Sequence, residues 1–316
     1  MSTRPSEGPA IDSIVQASQS AAAGQRPGGN AAGMAAIGLW STLAVLATWT
    51  GSIPPLQLLA ACFVTAGVVG LVLPLWRRPA GQSWRQSLRQ PWRAYVLTTA
   101  ALFGYHALYF LALKTAPPVE ASLINYLWPL LIVLVAACLP GTRPPPAVYV
   151  AVALGFVGAV AVVTRMRRPE LEPAHALGYL AALGAALVWA AYSVLNRRHA
   201  GIPSTALALP CLTVALLASL GHGLLETTAW PEPGEWLAIL ALGLGPVGGA
   251  FWLWDHGTKH GQLAVLGTLA YAAPVLSTLW LLLAGRAEPH WSQALACVLI
   301  VGAGLLLRRV MRGQAG

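Results

Sequence analysis

The chain has 316 residues, of which 57% are hydrophobic and only 9% are charged. Soluble domains carry about 25% charged residues, so this composition excludes an ordinary water-soluble protein and indicates an integral membrane protein. The formal net charge of +9 would favour nucleic-acid binding in a soluble chain, but here the arginines cluster between apolar segments. That distribution is typical of residues that set membrane topology.

Residues 1–30 are rich in Ser, Gly, Ala, Pro and Gln, and they predict a disordered cytoplasmic tail. Apolar stretches then recur, each long enough as a helix to cross a hydrocarbon core of about 30 Å. The loops between them are short, so no soluble catalytic domain is expected. The sequence predicts ten spans, 31–49, 56–76, 92–113, 119–138, 146–164, 175–197, 203–224, 235–258, 262–283 and 291–308.

The basic residues predict the orientation of these spans. With a cytoplasmic amino terminus, fourteen of the 19 Lys and Arg residues fall on inside segments and five on outside segments. This positive-inside bias places both termini in the cytoplasm. Residues 165–174 are then an external linker, and residues 310–316 are a second cytoplasmic tail.

The two halves of the chain resemble each other. A shift of 145 positions aligns five identical residue pairs: Lys114 with Lys259, Tyr126 with Tyr271, Pro129 with Pro274, Leu134 with Leu279, and Pro144 with Pro289. A slightly different shift aligns Trp40 with Trp189. We therefore predict two five-helix repeats, 31–164 and 175–309. Because five is an odd number, the repeats would have opposite orientations, as in many transporters with a site at the membrane midplane.

Three prolines predict flexible points within spans. Pro129 and Pro274 lie near the middle of the fourth and ninth spans, where each removes one helical hydrogen bond. Unpaired carbonyls in a membrane face a wet cavity or a neighbouring helix, so matching prolines favour a central cavity. The alternative is an ordinary helix kink whose unpaired carbonyl packs against a neighbouring helix. Pro246, set among several glycines, predicts a third hinge in the eighth span.

Aromatic and polar side chains at membrane depth form the predicted binding site. Their rings and few hydrogen-bonding groups suit a small amphipathic ligand with a ring and polar ends. For these rings the alternative is helix packing. The candidates from the residues alone are Tyr105, His106, Tyr109, Asn125, Tyr126, Trp128, Pro129, Trp189, Tyr192 and Ser193.

Two residues are candidates for coupling transport to proton movement. His106 is the one histidine well inside a span, and its alternative role is a hydrogen bond to the next helix. Asp255 lies four residues before Lys259, so an ion pair at the cytoplasmic helix end is favoured, and a coupling carboxylate is the second interpretation. No metal-ligand, phosphate-binding or nucleophile motif stands in the sequence, so neither a metal nor a cofactor is expected.

Three segments resemble a known family: NYLWPLLIVL from Asn125, WAAYSVLNRR from Trp189, and YAAPVLSTL from Tyr271. With ten spans in two repeats, the chain is similar to the drug/metabolite transporter superfamily of EamA type, and most like its bacterial aromatic amino acid exporters. The resemblance implies a basket of helices around a central cavity in the inner membrane. It also supports as cavity lining Asn125, Tyr126, Trp128, Pro129, Trp189 and Tyr192, with Tyr105, His106 and Tyr109 on the part of the third span that would face the same cavity, and it adds Tyr271.

The leading hypothesis is therefore an inner-membrane exporter of aromatic or other hydrophobic amino acids and related metabolites, working by alternating access. Its partners would be the lipid bilayer and a small-molecule substrate; no nucleic acid or protein partner is expected. One alternative is a transporter of the same superfamily with other substrates, such as drugs, other amino acids, nucleotide sugars or purine metabolites. The least favoured alternative is an integral membrane enzyme, because only His106 beside serines and tyrosines could serve as its base.

Overall fold

The protein is helical throughout the part of the chain that the computed structural model describes, which comprises residues 28–76, 83–138, 144–169 and 171–313. Ten of the described segments are long and apolar enough to cross a membrane: Gly29–Ala47, Pro55–Leu73, Trp92–Thr115, Pro118–Ala137, Pro146–Thr164, Pro173–His199, Ser204–Leu225, Pro233–His260, Leu263–Leu283 and Trp291–Val310. They are called the first to tenth spans below. Each predicted span is confirmed, with ends that differ by a few residues.

Six spans contain a single α-helix: Pro55–Trp76, Trp92–Thr115, Pro146–Thr164, Ala176–Leu195, Ala208–Leu225 and Trp291–Gly313. The other four are each built from two α-helices: Gly29–Ser41 and Leu43–Ala47; Pro118–Asn125 and Trp128–Ala137; Pro233–Leu244 and Ala250–His260; Leu263–Ala270 and Ala272–Leu283. Short 3₁₀ turns, Pro173–His175, Asn196–His199 and Ser204–Leu207, flank the sixth and seventh spans. One further helix, Trp84–Leu88, lies in the loop before the third span.

The fourth and ninth spans break at corresponding places. The first helix of the fourth span ends at Asn125, and that of the ninth ends at Ala270. Each of these residues lies four positions before a proline, Pro129 or Pro274. Proline has no N–H to donate to the carbonyl four residues earlier, which explains why both helices end there. The predicted kinks are thus present as breaks that fall just before the prolines.

The eighth span contains an irregular turn at its centre. Gly245–Gly249, which includes Pro246, forms a π-helical turn between two α-helices. Proline and glycine both weaken regular helical hydrogen bonding, and π turns of this kind occur often at functional sites. The predicted irregularity at Pro246 is therefore present, and it lies at membrane depth.

The two halves pack with matching neighbours. The third span packs on the sixth, and the corresponding eighth span packs on the first. The second span pairs with the seventh, the fourth with the ninth, and the fifth with the tenth. Each of these three pairs joins a span to its equivalent in the other half. This is the neighbour pattern that two structurally equivalent repeats related by a twofold axis produce.

The predicted tails and linker fall partly outside the described residues. Residues 1–27 and 314–316 lie outside them, and the first helix begins at Gly29, inside the predicted tail. The tenth helix continues to Gly313 and so takes up the start of the predicted tail 310–316. Between the fifth and sixth spans, Arg165 and Met166 have positive φ angles of 49° and 60°, which end the fifth helix abruptly.

Candidate functional site

A cavity of about 300 Å³ lies at the centre of the helix bundle. Its volume is at the lower end of the range for small-molecule sites. Six spans contribute to its wall, the first, third, fourth, sixth, eighth and ninth. The lining residues are Trp40, Leu43, Ala44, Tyr105, His106, Tyr109, Asn125, Tyr126, Trp128, Trp189, Pro246, Val247, Phe251, Ala273 and Ser277. Asp, Glu, Lys and Arg are all absent from these described lining residues, so the site carries no fixed charge.

Aromatic rings make up most of the cavity wall. The Trp40 ring lies 6.1 Å from Trp128 and 5.8 Å from Trp189, in edge-to-face arrangements. Trp189 in turn lies 5.4 Å from Tyr105 and 5.6 Å from Phe251. Pairs at these distances contribute about 0.5–1.5 kcal/mol each beyond the area they bury. The rings therefore hold one another in place and present a preformed surface for another ring.

His106 contributes the cavity's imidazole. Its Nδ1 atom lies 2.6 Å from the Leu102 carbonyl oxygen. A carbonyl can only accept, so Nδ1 carries the hydrogen and Nε2 of the neutral ring is an acceptor. The ring packs edge-on against Phe63 and Phe251, at 5.4 and 5.9 Å. The alternative interpretation required a hydrogen bond from His106 to the next helix. His106 instead bonds to its own helix.

Asn125 occupies the end of the first helix of the fourth span. Its Nδ2 donates to the Tyr105 hydroxyl at 3.2 Å, which links the fourth span to the third. Its Oδ1 is buried and has no hydrogen-bond partner among the described residues. Asn125 is only 5% exposed, so an unpaired oxygen there is costly unless a ligand or water donates a hydrogen bond to it.

Tyr109 and Tyr105 share one face of the third span. Their rings stack at 6.0 Å with an interplanar angle of 18°. The Tyr109 hydroxyl lies 3.1 Å from the Ser122 hydroxyl of the fourth span. These contacts fix the tyrosines beside Tyr126, which also lines the cavity.

Trp254 closes one end of the cavity. It is fully buried, 5.0 Å from Trp40 and 5.6 Å from Trp128. Its Nε1 donates to the Ser193 hydroxyl at 3.0 Å, and this hydroxyl donates to the Trp189 carbonyl at 2.8 Å. Ser193 therefore positions two tryptophans and does not itself line the cavity.

A buried ion pair lies one turn further along the eighth span. Lys259 Nζ is 2.8 Å from Asp255 Oδ2, and both side chains are less than 5% exposed. Asp255 also accepts from Asn196 Nδ2 at 2.8 Å and from the Ser204 hydroxyl at 2.5 Å. The favoured ion-pair interpretation of Asp255 is confirmed. The pair is more deeply enclosed than a helix-end position predicts, because the sixth and seventh spans cover it.

Beyond this network, glycines bring the first and eighth spans into backbone contact. A Cβ atom on Gly257 would lie 2.8 Å from the Gly33 Cα. One on Gly29 would lie 2.5 Å from the Gly261 nitrogen. The first and eighth spans are therefore in direct contact at the end where the eighth span terminates. The cavity lies toward the opposite end, where the first, third and ninth spans terminate.

The structure brings most of the predicted site residues together. Those that line the cavity are Tyr105, His106, Tyr109, Asn125, Tyr126, Trp128, Trp189 and the hinge residue Pro246. Pro129, Pro274, Tyr192, Ser193 and Tyr271 are buried outside this lining. Trp40 and Phe251 also line the cavity, although neither is among the predicted site residues. The alignment of Trp40 with Trp189 was the available signal, whereas the orientation of Phe251 could not be read from an apolar span.

Tyr271 lies at the break of the ninth span, but it faces the fourth span. Its hydroxyl accepts a hydrogen bond from the Leu130 amide at 3.1 Å. Its ring packs against Gly155 of the fifth span, where a Cβ atom would lie 2.6 Å from the Tyr271 ring. Tyr192 is buried as well, with its ring 5.4 Å from Trp189. Both tyrosines support the cavity wall from behind.

Comparisons with known proteins agree with this architecture. The EamA-like transporter family matches residues 28–164 and 176–309. An aromatic amino acid exporter, YddG of Ancylobacter novellus, is 49% identical over 282 residues, which cover 88% of this chain and 97% of the exporter. The pseudopaline exporter CntI of Pseudomonas aeruginosa is 25% identical over 209 residues, 66% of this chain and 72% of CntI.

The fold also matches a solved structure. A crystal structure with 47% sequence identity superposes with a TM-score of 0.82 and covers 88% of this chain and 96% of the solved chain. The two family matches include all ten spans and are separated by the segment between the fifth and sixth spans. The protein is thus a multi-pass membrane transporter and not an enzyme, and it belongs to the EamA-like transporter family.

Proposed function

We propose that this protein exports aromatic and other hydrophobic amino acids and related small metabolites across the bacterial inner membrane. The observation that carries the proposal is the uncharged, aromatic-walled cavity at the centre of the bundle. A ring can stack on its tryptophans, and the neutral polar groups of the lining can hydrogen-bond to the polar end of the substrate. The similarity to an aromatic amino acid exporter supports the same substrate class.

The transport step is alternating access between two inverted five-helix repeats. The matching neighbours of the two halves and the corresponding breaks before Pro129 and Pro274 support this arrangement. The breaks and the π turn at Pro246 act as hinges, because each lacks regular helical hydrogen bonds. The inside bias of basic residues places both termini in the cytoplasm, so that the cavity faces the outside and the ion-pair end is the closed inner gate.

Among the proposed binding residues, Tyr105, Tyr109, Tyr126, Trp128 and Trp189 hold the substrate ring. Asn125 and His106 orient its polar end. Tyr192, Ser193 and Tyr271 act indirectly, by supporting the lining residues. Of the two proposed coupling residues, His106 has access to the cavity, whereas Asp255 is held in an ion pair. We therefore assign proton coupling, if transport uses it, to His106.

The test is transport by the purified protein in liposomes. Labelled phenylalanine and tryptophan should move in exchange for the same unlabelled amino acid on the other side of the membrane. Glutamate should move far more slowly, because the cavity offers no cationic partner for its side chain. Protein-free liposomes provide the background rate. Absence of flux for every hydrophobic amino acid would refute the proposed substrate class.

A further inference from the structure

Two hydrogen-bond acceptors of the cavity lining have no partner among the described residues. Asn125 Oδ1 has no partner in the described part of the chain, and it is an acceptor. His106 Nε2 makes no hydrogen bond there either, and it is an acceptor because Nδ1 donates to Leu102. Both residues line the cavity and both contact Tyr105, through a hydrogen bond and a ring contact at 5.2 Å. The lining on either side of Tyr105 therefore offers two acceptors that need a donor.

The orientation of the Asn125 amide follows from the same environment. Its nitrogen has an acceptor in the Tyr105 hydroxyl, and its oxygen position has no donor nearby. Reversing the amide would turn its nitrogen away from this hydroxyl and put a group with two donors in place of the unpaired oxygen. Leaving one acceptor unpaired is less costly than leaving two donors unpaired in a buried site. Tyr105 thus holds the amide with its oxygen free.

A primary ammonium group matches this arrangement. It carries three N–H donors, enough for both acceptors. The surrounding Trp and Tyr rings add favourable interactions with a cation over their faces. The described lining residues include no cationic side chain, so a carboxylate would meet only neutral donors, the indole and hydroxyl groups.

On the basis of the proposed substrate site, we propose that Asn125 and His106 recognise the substrate's ammonium group, and that the protein also transports aromatic monoamines, which lack the carboxylate. The substrate class is an aromatic ring joined by a short chain to a primary amine. Aromatic acids without the amine are poor ligands, because they leave both acceptors unpaired.

Competition in liposomes tests this inference on the native protein. Uptake of labelled tryptophan is measured with tryptamine, which lacks the carboxylate, or indole-3-propionate, which lacks the amine. Tryptamine should inhibit at a concentration at least about tenfold lower than indole-3-propionate, because only the acid leaves buried acceptors unpaired. Labelled tryptamine should itself be taken up. If tryptophan is transported but the acid is the better inhibitor, the ammonium assignment is wrong and the proposed function stands. If tryptophan is not transported at all, the proposed function is wrong.

Two variants locate the recognition at Asn125. Asn125→Asp adds a negative charge at the same size and should raise the ratio of the inhibitory concentration of indole-3-propionate to that of tryptamine by about tenfold, since a charged acceptor binds an ammonium more strongly and repels a carboxylate. Tyr105→Phe frees the amide to rotate and should lower this ratio. Tyr95→Phe is the matched control, because Tyr95 lies on the same span but bonds to Thr213 outside the cavity. The ratio is taken within one variant, so it does not depend on how much protein folds. An unchanged ratio in both Asn125→Asp and Tyr105→Phe would overturn the assignment.

Discussion

Tyr126 and Tyr271 stand at corresponding breaks of the fourth and ninth spans, but Tyr126 lines the cavity while the Tyr271 hydroxyl accepts a hydrogen bond from the Leu130 amide. The Leu130 amide follows Pro129 within the interrupted span, so this bond ties the ninth span to the weak point of the fourth. The two halves of the chain thus use equivalent tyrosines differently. One is available to substrate, and the other stabilises the bundle.

This difference predicts separate effects of the same substitution. Tyr271→Phe leaves the buried Leu130 amide without its acceptor, so it should destabilise the protein by about 1–3 kcal/mol. Tyr126→Phe should change stability little but weaken tryptophan binding. Thermal unfolding in detergent and tryptophan binding to the same samples measure the two effects. The opposite assignment, with Tyr271→Phe affecting binding and Tyr126→Phe affecting stability, would contradict the structure.

Trp128 is predicted to be essential for binding through its ring. Trp128→Ala removes a ring that contacts both Trp40 and Trp254, and it should reduce tryptophan affinity by at least about tenfold. Membrane insertion should be retained, since the span stays apolar. Trp49→Ala is the matched control, because Trp49 is 50% exposed and lies outside the cavity lining. Equal loss of affinity in the two variants would argue against a binding role for Trp128.

The Asp255–Lys259 ion pair is predicted to be a packed element of the closed end. Lys259→Met removes the cation and leaves a buried carboxylate, which should cost about 3–5 kcal/mol of stability. The double variant Asp255→Asn, Lys259→Met removes both charges and should recover most of this loss. Thermal unfolding of the single and double variants provides the measurement. A double variant as unstable as Lys259→Met would show that charge pairing is not what stabilises this region.

Close backbone contact between the first and eighth spans gives a fourth prediction. Gly257→Ala places a methyl group 2.8 Å from the Gly33 Cα, so the helices must separate, at a cost of about 1–3 kcal/mol. Gly38→Ala is the matched control, because nothing lies within 4 Å of its added methyl group. It should be neutral or slightly stabilising, since alanine favours helix more than glycine does. Unfolding temperatures that fall equally for both variants would contradict the close contact.

Much of the fold could be predicted because the membrane imposes it. Hydropathy and span length give the ten spans, since each must cross the same apolar thickness. Pro129 and Pro274 predict where helical bonding fails, and the helices do end at Asn125 and Ala270. These features depend on residues close together in the chain.

The orientation of individual side chains could not be predicted in the same way. Spans that are apolar all round carry no periodic signal for the face that meets the cavity. Phe251 and Val247 therefore looked like any membrane residue, although both line the site. The repeat predicted equivalent environments for Tyr126 and Tyr271. In the structure Tyr126 lines the cavity whereas Tyr271 packs against the fifth span, so the two environments are unequal.

The central claim is that substrate occupies the aromatic cavity. A single cysteine at a lining position, Ser277→Cys in a chain whose four cysteines are replaced by alanine, reports on it directly. Its rate of labelling by a small maleimide is measured in liposomes with increasing tryptophan, and Arg286→Cys, in the exposed loop after the ninth span, is the control. Tryptophan should slow labelling at position 277 and leave position 286 unchanged. Labelling at 277 that is unaffected by tryptophan, in a variant that still transports it, would contradict the claim.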